Sequence, residues 1–203
     1  MSDEPNISAD FPPARPAVKL RWALGVLLVP LGLLAFEAFD YYSTPRLDVD
    51  QKALIAWEGI RAPDFSVTNL DGQAVRLADF KGKRVIVNYW ATYCPPCLEE
   101  TPNFVKLRAE TSPADVAIIG LSTEDAATQK TFAQRNGVNY PFAILQYVPS
   151  PYQDVVTIPV TMVIDRNGVI QHVSFGAQDL KVLEKFAAET DFAGPVKSPP
   201  NSH

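Results

Sequence analysis

The stretch RVIVNYWATYCPPCLEETP, residues 84 to 102, constrains the fold more than any other part of the chain. Its first seven residues are mostly β-branched or aromatic, which suits a strand buried on both faces of a sheet. A helix is expected to follow from Pro95 to about Glu110, because proline is well accommodated in a first helical turn. Pro102 falls inside that helix and should kink it. Between strand and helix lie Cys94 and Cys97, the only two cysteines among 203 residues.

Such a pair can be a structural staple, a metal clip or a redox couple. As a staple it would close almost no loop and so constrain the unfolded chain little. As a zinc clip it would need two further ligands, and the only histidines are His172 and His203. A redox couple needs one accessible sulfur that becomes a thiolate and a second within reach to resolve the mixed disulfide. Unpaired N–H groups at a helix start favour an anion. Cys94 is therefore the expected nucleophile and Cys97 the resolving thiol. Pro95 and Pro96 lack N–H groups, so the N–H of Cys97 is the main donor left for a Cys94 thiolate. No basic residue stands between the cysteines. A weakly stabilised thiolate makes the disulfide relatively more stable, which favours an electron donor over a strong oxidant.

The rest of the chain reads as an α/β order. Residues 64–77 form two short runs about Asp71-Gly72, a hairpin signal. Residues 115–122 read as a second buried strand. Residues 123–137 read as a helix capped by Thr123, favoured by Glu124 and Asp125 at its positive end and stopped by Gly137. Residues 160–165 and 169–175 form a hairpin about Arg166-Asn167-Gly168, and 179–190 form a final amphipathic helix.

The N-terminal part has a different character. Residues 1–20 read as a short disordered cytoplasmic tail. Trp22 to Phe36 carry no charge, and extension to Phe39 gives a segment about 27 Å long as a helix, close to a bilayer core. Arg15, Lys19 and Arg21 precede it, whereas Glu37, Asp40, Asp48 and Asp50 follow with only Arg46 against them. Positive charge stays inside, so the C-terminal bulk is expected outside the cytoplasm. Cleavage after Ala38 would place bulky Phe36 three positions back, so residues 21–39 read as an uncleaved signal-anchor. Residues 40–59 read as a linker, 60–190 as the folded domain and 191–203 as a disordered tail. The net charge of −5 and the lack of a basic run argue against a nucleic-acid partner.

APDF (62–65), LDG (70–72), FKGK (80–83), VNYWATYCPPC (87–97) and VID-RNG-VI (163–170) resemble, in order, the TlpA/ResA/CcmG-like group of membrane-anchored thioredoxin-like proteins. The resemblance covers roughly residues 60 to 190. It implies a thioredoxin-like α/β fold, a central mixed sheet flanked by helices, with an N-terminal β-hairpin extension. It implies a thiol-disulfide oxidoreductase that needs no cofactor beyond its own Cys94–Cys97 disulfide.

Several residue roles follow from the same resemblance. Glu100 and Pro102 complete the group's C-x-x-E-x-P pattern, and Glu100 lies one helical turn past Cys97. Thioredoxins proper hold a buried aspartate where this chain has Asn88, so Glu100 is the expected proton acceptor for Cys97. From the sequence alone Glu100 reads as a solvated helix charge near a positive dipole end, as Glu99 does; the resemblance is what points to a proton acceptor. Trp90 and Tyr93 flank the pair. The resemblance implies that Trp90 packs beneath the disulfide and that Tyr93 lies beside Cys94, where a partner peptide could touch it. Trp90, Tyr93, Pro95 and Pro96 are together expected to form the substrate-binding surface. Pro159 is the expected cis-proline facing the disulfide, and Ile158 would offer backbone groups to an extended substrate. Thr157 and Val160 depart from the glycine and threonine of many relatives.

Partners and place are likewise expectations. The implied electron donor is a membrane thiol reductant of the DsbD/CcdA type. The implied targets are disulfides of apocytochrome c or of a copper-site protein, met by a monomer on the periplasmic face of a bacterial inner membrane. The alternatives are a disulfide-forming oxidant and a Sco-like copper metallochaperone; the latter group uses a C-x-x-x-C spacing that this chain lacks. A peroxiredoxin shares the APDF opening, but C-x-x-C fits disulfide exchange better.

Overall fold

The computed structural model describes residues 49–200. The apolar segment 21–39 and the expected cytoplasmic tail lie outside them, as does His203. Among the described residues no helix is long and apolar enough to cross a membrane.

The chain enters through a short helix, α1 (Val49–Ile55). A hairpin follows, β1 (Ser66–Asn69) and β2 (Ala74–Arg76), turning at Gly72, whose φ of 81° suits glycine. Then come β3 (Arg84–Tyr89), α2 (Pro95–Glu110), β4 (Val116–Ser122), α3 (Ala126–Arg135) and β5 (Phe142–Ile144). The chain closes with β6 (Val160–Ile164), β7 (Ile170–Phe175) and α4 (Leu180–Ala188). The seven strands form one sheet in the order β2-β1-β5-β4-β3-β6-β7. β4 runs parallel to β3 and β5, and the other pairs are antiparallel. This is the mixed sheet and hairpin extension expected of a thioredoxin-like fold.

Alternation along β3 sorts its side chains between two cores. Val85, Val87 and Tyr89 join one cluster with Leu54, Ile119 and Met162. Ile86 and Trp90 join the other with Cys97, Phe104 and Leu107 of α2 and Leu183 and Phe186 of α4. Asn88 has the parity of this second face, and so it meets α2.

Three expectations need correction. Residues 49–59 are not a bare linker: Leu54 and Trp57 are buried, the Gly59 N–H donates to the Ile170 carbonyl at 2.8 Å, and Glu58 accepts from the Val173 N–H at 2.8 Å. Two buried apolar residues, one backbone bond and one side-chain bond attach a segment too short to announce itself. Part of the supposed tail is also attached. Asp191 pairs with buried Arg84 at 3.0 Å, the Phe192 N–H donates to Asp165 at 2.9 Å, and the Lys197 N–H donates to the Gly59 carbonyl at 2.8 Å. Finally, α3 is capped by Asp125 rather than Thr123. The Asp125 carboxylate accepts from the Thr128 N–H at 2.9 Å, and that bond holds its pKa below the ordinary carboxylate value.

Candidate active site

β3, inside the sheet between β4 and β6, delivers the chain to the sheet's end, where the Trp90 N–H still donates to the Leu121 carbonyl of β4 at 3.1 Å. Four residues later Cys94 caps α2 in an extended conformation. Its Sγ accepts from the Cys97 N–H at 3.3 Å. Pro95 and Pro96 occupy the first two helical positions, so this is the donor the sequence singled out. The two sulfurs are bonded to one another, with Cα atoms 5.3 Å apart. Cys97 is fully buried, whereas Cys94 keeps 6% of its surface. The small exposure that exists therefore belongs to the expected nucleophile.

Ile158-Pro159 is a cis peptide, and Ser150-Pro151 is a second one that the sequence reading did not single out. β6 begins directly after Pro159, and its Val160 is the register partner of Tyr89 on β3. That pairing sets the Ile158-Pro159 step beside the chain leaving β3 toward Cys94. The Pro159 carbonyl accepts from the Gly176 N–H at 2.9 Å. Among the described residues neither backbone polar group of Ile158 has an internal partner, which leaves both for an added strand.

Glu100 is not a solvated helix charge. It is 1% exposed. Its Oε1 accepts from Asn88 Nδ2 at 2.7 Å and its Oε2 from the Gln178 N–H at 2.9 Å. Burial raises its pKa to about 7, although both hydrogen bonds pull the other way. The sequence supplied Asn88 and Glu100, but not that one would be the other's donor. Gln178 comes from the turn before α4 and carries no motif.

Trp90 does not reach the surface as a substrate contact; it packs in the core cluster that holds both cysteines, the place beneath the disulfide that the resemblance implies. It is buried, with its ring centroid 4.7 Å from Phe132 and 4.3 Å from Phe142. Trp90 supports the cysteine loop from within the core and does not present a surface. Tyr93 is 73% exposed, and Pro95 and Pro96 are exposed beside it. Gly120 makes room for the aromatic stack: a Cβ there would meet Phe142 at 2.5 Å and Trp90 Nε1 at 3.0 Å. Gly120→Ala is expected to destabilise the fold by about 1–3 kcal/mol through overpacking. Urea unfolding measures this, and an unchanged midpoint would show that the stack yields freely.

Glu124 was expected to favour the start of α3. Its carboxylate turns back instead. Oε2 accepts from the Thr92 N–H at 2.7 Å and Oε1 from the Thr92 hydroxyl at 2.6 Å. His172 lies on β7, with Nε2 2.6 Å from Glu189 Oε2 and its ring stacked on Phe186, and it takes no part in this site. Among the described residues no group of three or more His, Cys, Asp or Glu is placed to hold a metal.

A mixed sheet with a disulfide at the mouth of a helix, and a cis-proline just before the neighbouring strand, can be compared with known proteins. The family model described as the AhpC/TSA family matches residues 59–173. The chain belongs to this family. It is similar to the thioredoxin-like protein YneN of Bacillus subtilis, 33% identical over 81% of this chain and 95% of the relative. It is also similar to the thiol-disulfide oxidoreductase ResA of Bacillus thuringiensis, 32% identical over 83% of this chain and 94% of the relative. Among solved structures, a thiol:disulfide interchange protein of the thioredoxin family from Chlorobium tepidum aligns with a TM-score of 0.57. That match has 27% identity and covers 63% of this chain and 93% of the other. This AhpC/TSA-family chain is a thiol-disulfide oxidoreductase with a thioredoxin-like fold.

Proposed function

We propose that this oxidoreductase is a reductant of protein disulfides, tethered to a bacterial inner membrane by residues 21–39 with its thioredoxin-like domain in the periplasm. One observation carries the direction of electron flow: a single N–H, that of Cys97, reaches Cys94 Sγ, and the two prolines before it have none to give. A thiolate with one donor is a poorer leaving group than one cradled by several, so the dithiol is the more ready electron source.

The exchange then runs in two displacements. Cys94 thiolate attacks a substrate disulfide, forming a mixed disulfide and releasing one substrate sulfur, which takes up a proton. Cys97 gives its proton to Glu100 and attacks Cys94 Sγ, forming the Cys94–Cys97 bond and releasing the second substrate sulfur. Two electrons pass to the substrate. An external dithiol must restore the pair, and a membrane thiol reductant of the DsbD/CcdA type fits the tether. Exposed Tyr93, Pro95 and Pro96, with the open backbone of Ile158, would receive the substrate. The proposed targets are disulfides of apocytochrome c or of a copper-site protein, the ones that the TlpA/ResA/CcmG-like sequence resemblance implies.

Equilibration of the full-length chain in detergent with dithiothreitol and glutathione buffers tests the reading. The expected potential is near that of thioredoxin, about −270 mV or somewhat above. A value near about −120 mV would make the chain an oxidant and reverse the proposed flow.

A further inference from the structure

The segment Ala91-Thr92-Tyr93 joins a rigid strand to the nucleophile and could move freely if nothing held it. A chain of hydrogen bonds does hold it. Gln129 of α3 is fully buried, and its Nε2 donates to the Glu124 carbonyl at 2.7 Å and the Ser122 carbonyl at 3.4 Å. The Ser122 hydroxyl accepts from the Glu124 N–H at 3.2 Å and donates to Glu124 Oε2 at 3.3 Å. The carboxylate so oriented takes both donors of Thr92, at 2.7 and 2.6 Å. The turn after β4 is thus a built support, and its load is the residue two before Cys94.

We infer that Glu124 is a positioning residue for thiol exchange: its carboxylate clamps Thr92 and so fixes the loop that sets Cys94 Sγ at the mouth of α2. The inference rests on the disulfide-reductant reading and adds a second cause for it. Glu124 also brings negative charge to the nucleophile's side. The Glu124 carboxylate lies 2.7 Å from the backbone nitrogen of Thr92, two residues before Cys94. A carboxylate there disfavours a Cys94 thiolate and stabilises the disulfide relative to the dithiol. The other charged groups on the surrounding elements are Glu99, Glu100, Lys106, Arg108 and Glu110 on α2, Asp125 at the cap of α3 with Lys130 and Arg135 along it, and Asp154 in the turn before β6; Arg135 lines a hollow together with Thr92. Among the described residues only Glu124 bonds the loop through a charged side chain.

The test compares Glu124→Gln, Glu124→Asp and Thr92→Val in the reduced full-length protein, reading the pH midpoint of Cys94 alkylation by iodoacetamide and the glutathione equilibrium. Glu124→Gln keeps an acceptor but loses the charge. It is expected to lower the midpoint by about half a pH unit and to shift the equilibrium about threefold toward the dithiol. Thr92→Val keeps the charge and loses one clamp bond; exchange should slow while the midpoint stays. Glu124→Asp keeps the charge but cannot reach both donors, so it should behave like Thr92→Val. It carries the test if the glutamine variant does not fold. A wild-type midpoint in Glu124→Gln, or wild-type exchange rates in Glu124→Asp, would overturn the inference. A wild-type protein lacking a reversible couple would instead sink the reductant reading, before any variant is compared.

Discussion

Cys97→Ser is expected to stop turnover after one displacement and to accumulate a covalent mixed disulfide with the substrate, whereas Cys94→Ser should neither turn over nor trap. The asymmetry follows from burial. Cys97 has no exposed surface, so it can reach Cys94 Sγ but not a partner's disulfide. Cys94 keeps what exposure there is and lies at the helix mouth with the Cys97 N–H directed at its sulfur. Removing Cys97 leaves the attacking sulfur intact and deletes the only group that can release it. Non-reducing electrophoresis of each reduced variant mixed with insulin measures this. Trapping by Cys94→Ser and not by Cys97→Ser would exchange the two roles. Trapping by neither would show that neither cysteine attacks the substrate disulfide and would remove the exchange mechanism, because the chain has no third cysteine.

The parts of the fold that could be read from the sequence are those whose signal is local. β3 and β4 are runs of apolar, largely β-branched residues long enough to be nothing but buried strands, and the Asp71-Gly72 turn announces its hairpin. β5 has three residues, Phe142–Ile144, too few to show any period, and it becomes a strand because β4 and β1 flank it. α1 is hidden for a similar reason: seven residues of mixed polarity are too few to show a helical period, and they form a helix because Leu54 finds a core to enter.

The site divides along the same line. The cysteines, the two prolines and the Cys97 N–H all lie within four consecutive residues, so their chemistry was legible at once. Glu100 was placed correctly on α2, but its burial depends on Asn88, twelve positions away, and on a Gln178 N–H 78 positions away. No spacing rule reaches that far. Glu124 was misassigned because an acid near a helix start has an ordinary local explanation, and its actual partner Thr92 lies 32 positions earlier. Trp90 was placed beneath the disulfide by the resemblance, but its stacking on Phe132 and Phe142 is a property of the assembled sheet.

Glu100→Gln is expected to flatten the pH dependence of the second displacement and to stabilise the protein at alkaline pH. The carboxyl's pKa rises from 4.5 to about 7 because burial disfavours its charged form. The folded state therefore holds a proton that the unfolded chain releases near pH 4.5. Stability from this group is fully present below that pH and is lost as pH rises through about 7, a total of about 3 kcal/mol at the usual 1.36 kcal/mol per unit. Glutamine has no such titration, so the difference in unfolding free energy between wild type and variant should change by about that amount between pH 4 and pH 8. Catalysis adds a separate signature. A group with a pKa near 7 is poised to accept the Cys97 proton at neutral pH, and glutamine cannot accept it. Resolution of the mixed disulfide should slow by about 10²-fold or more near pH 7, with the deficit shrinking as pH approaches the thiol's own pKa and hydroxide takes over. A parallel loss of rate at every pH would assign Glu100 to positioning through Asn88 and Gln178 alone. An unchanged profile would remove it from the mechanism. The two readouts separate the roles, because the stability difference depends only on burial of the carboxyl, whereas the rate difference requires its proton to move.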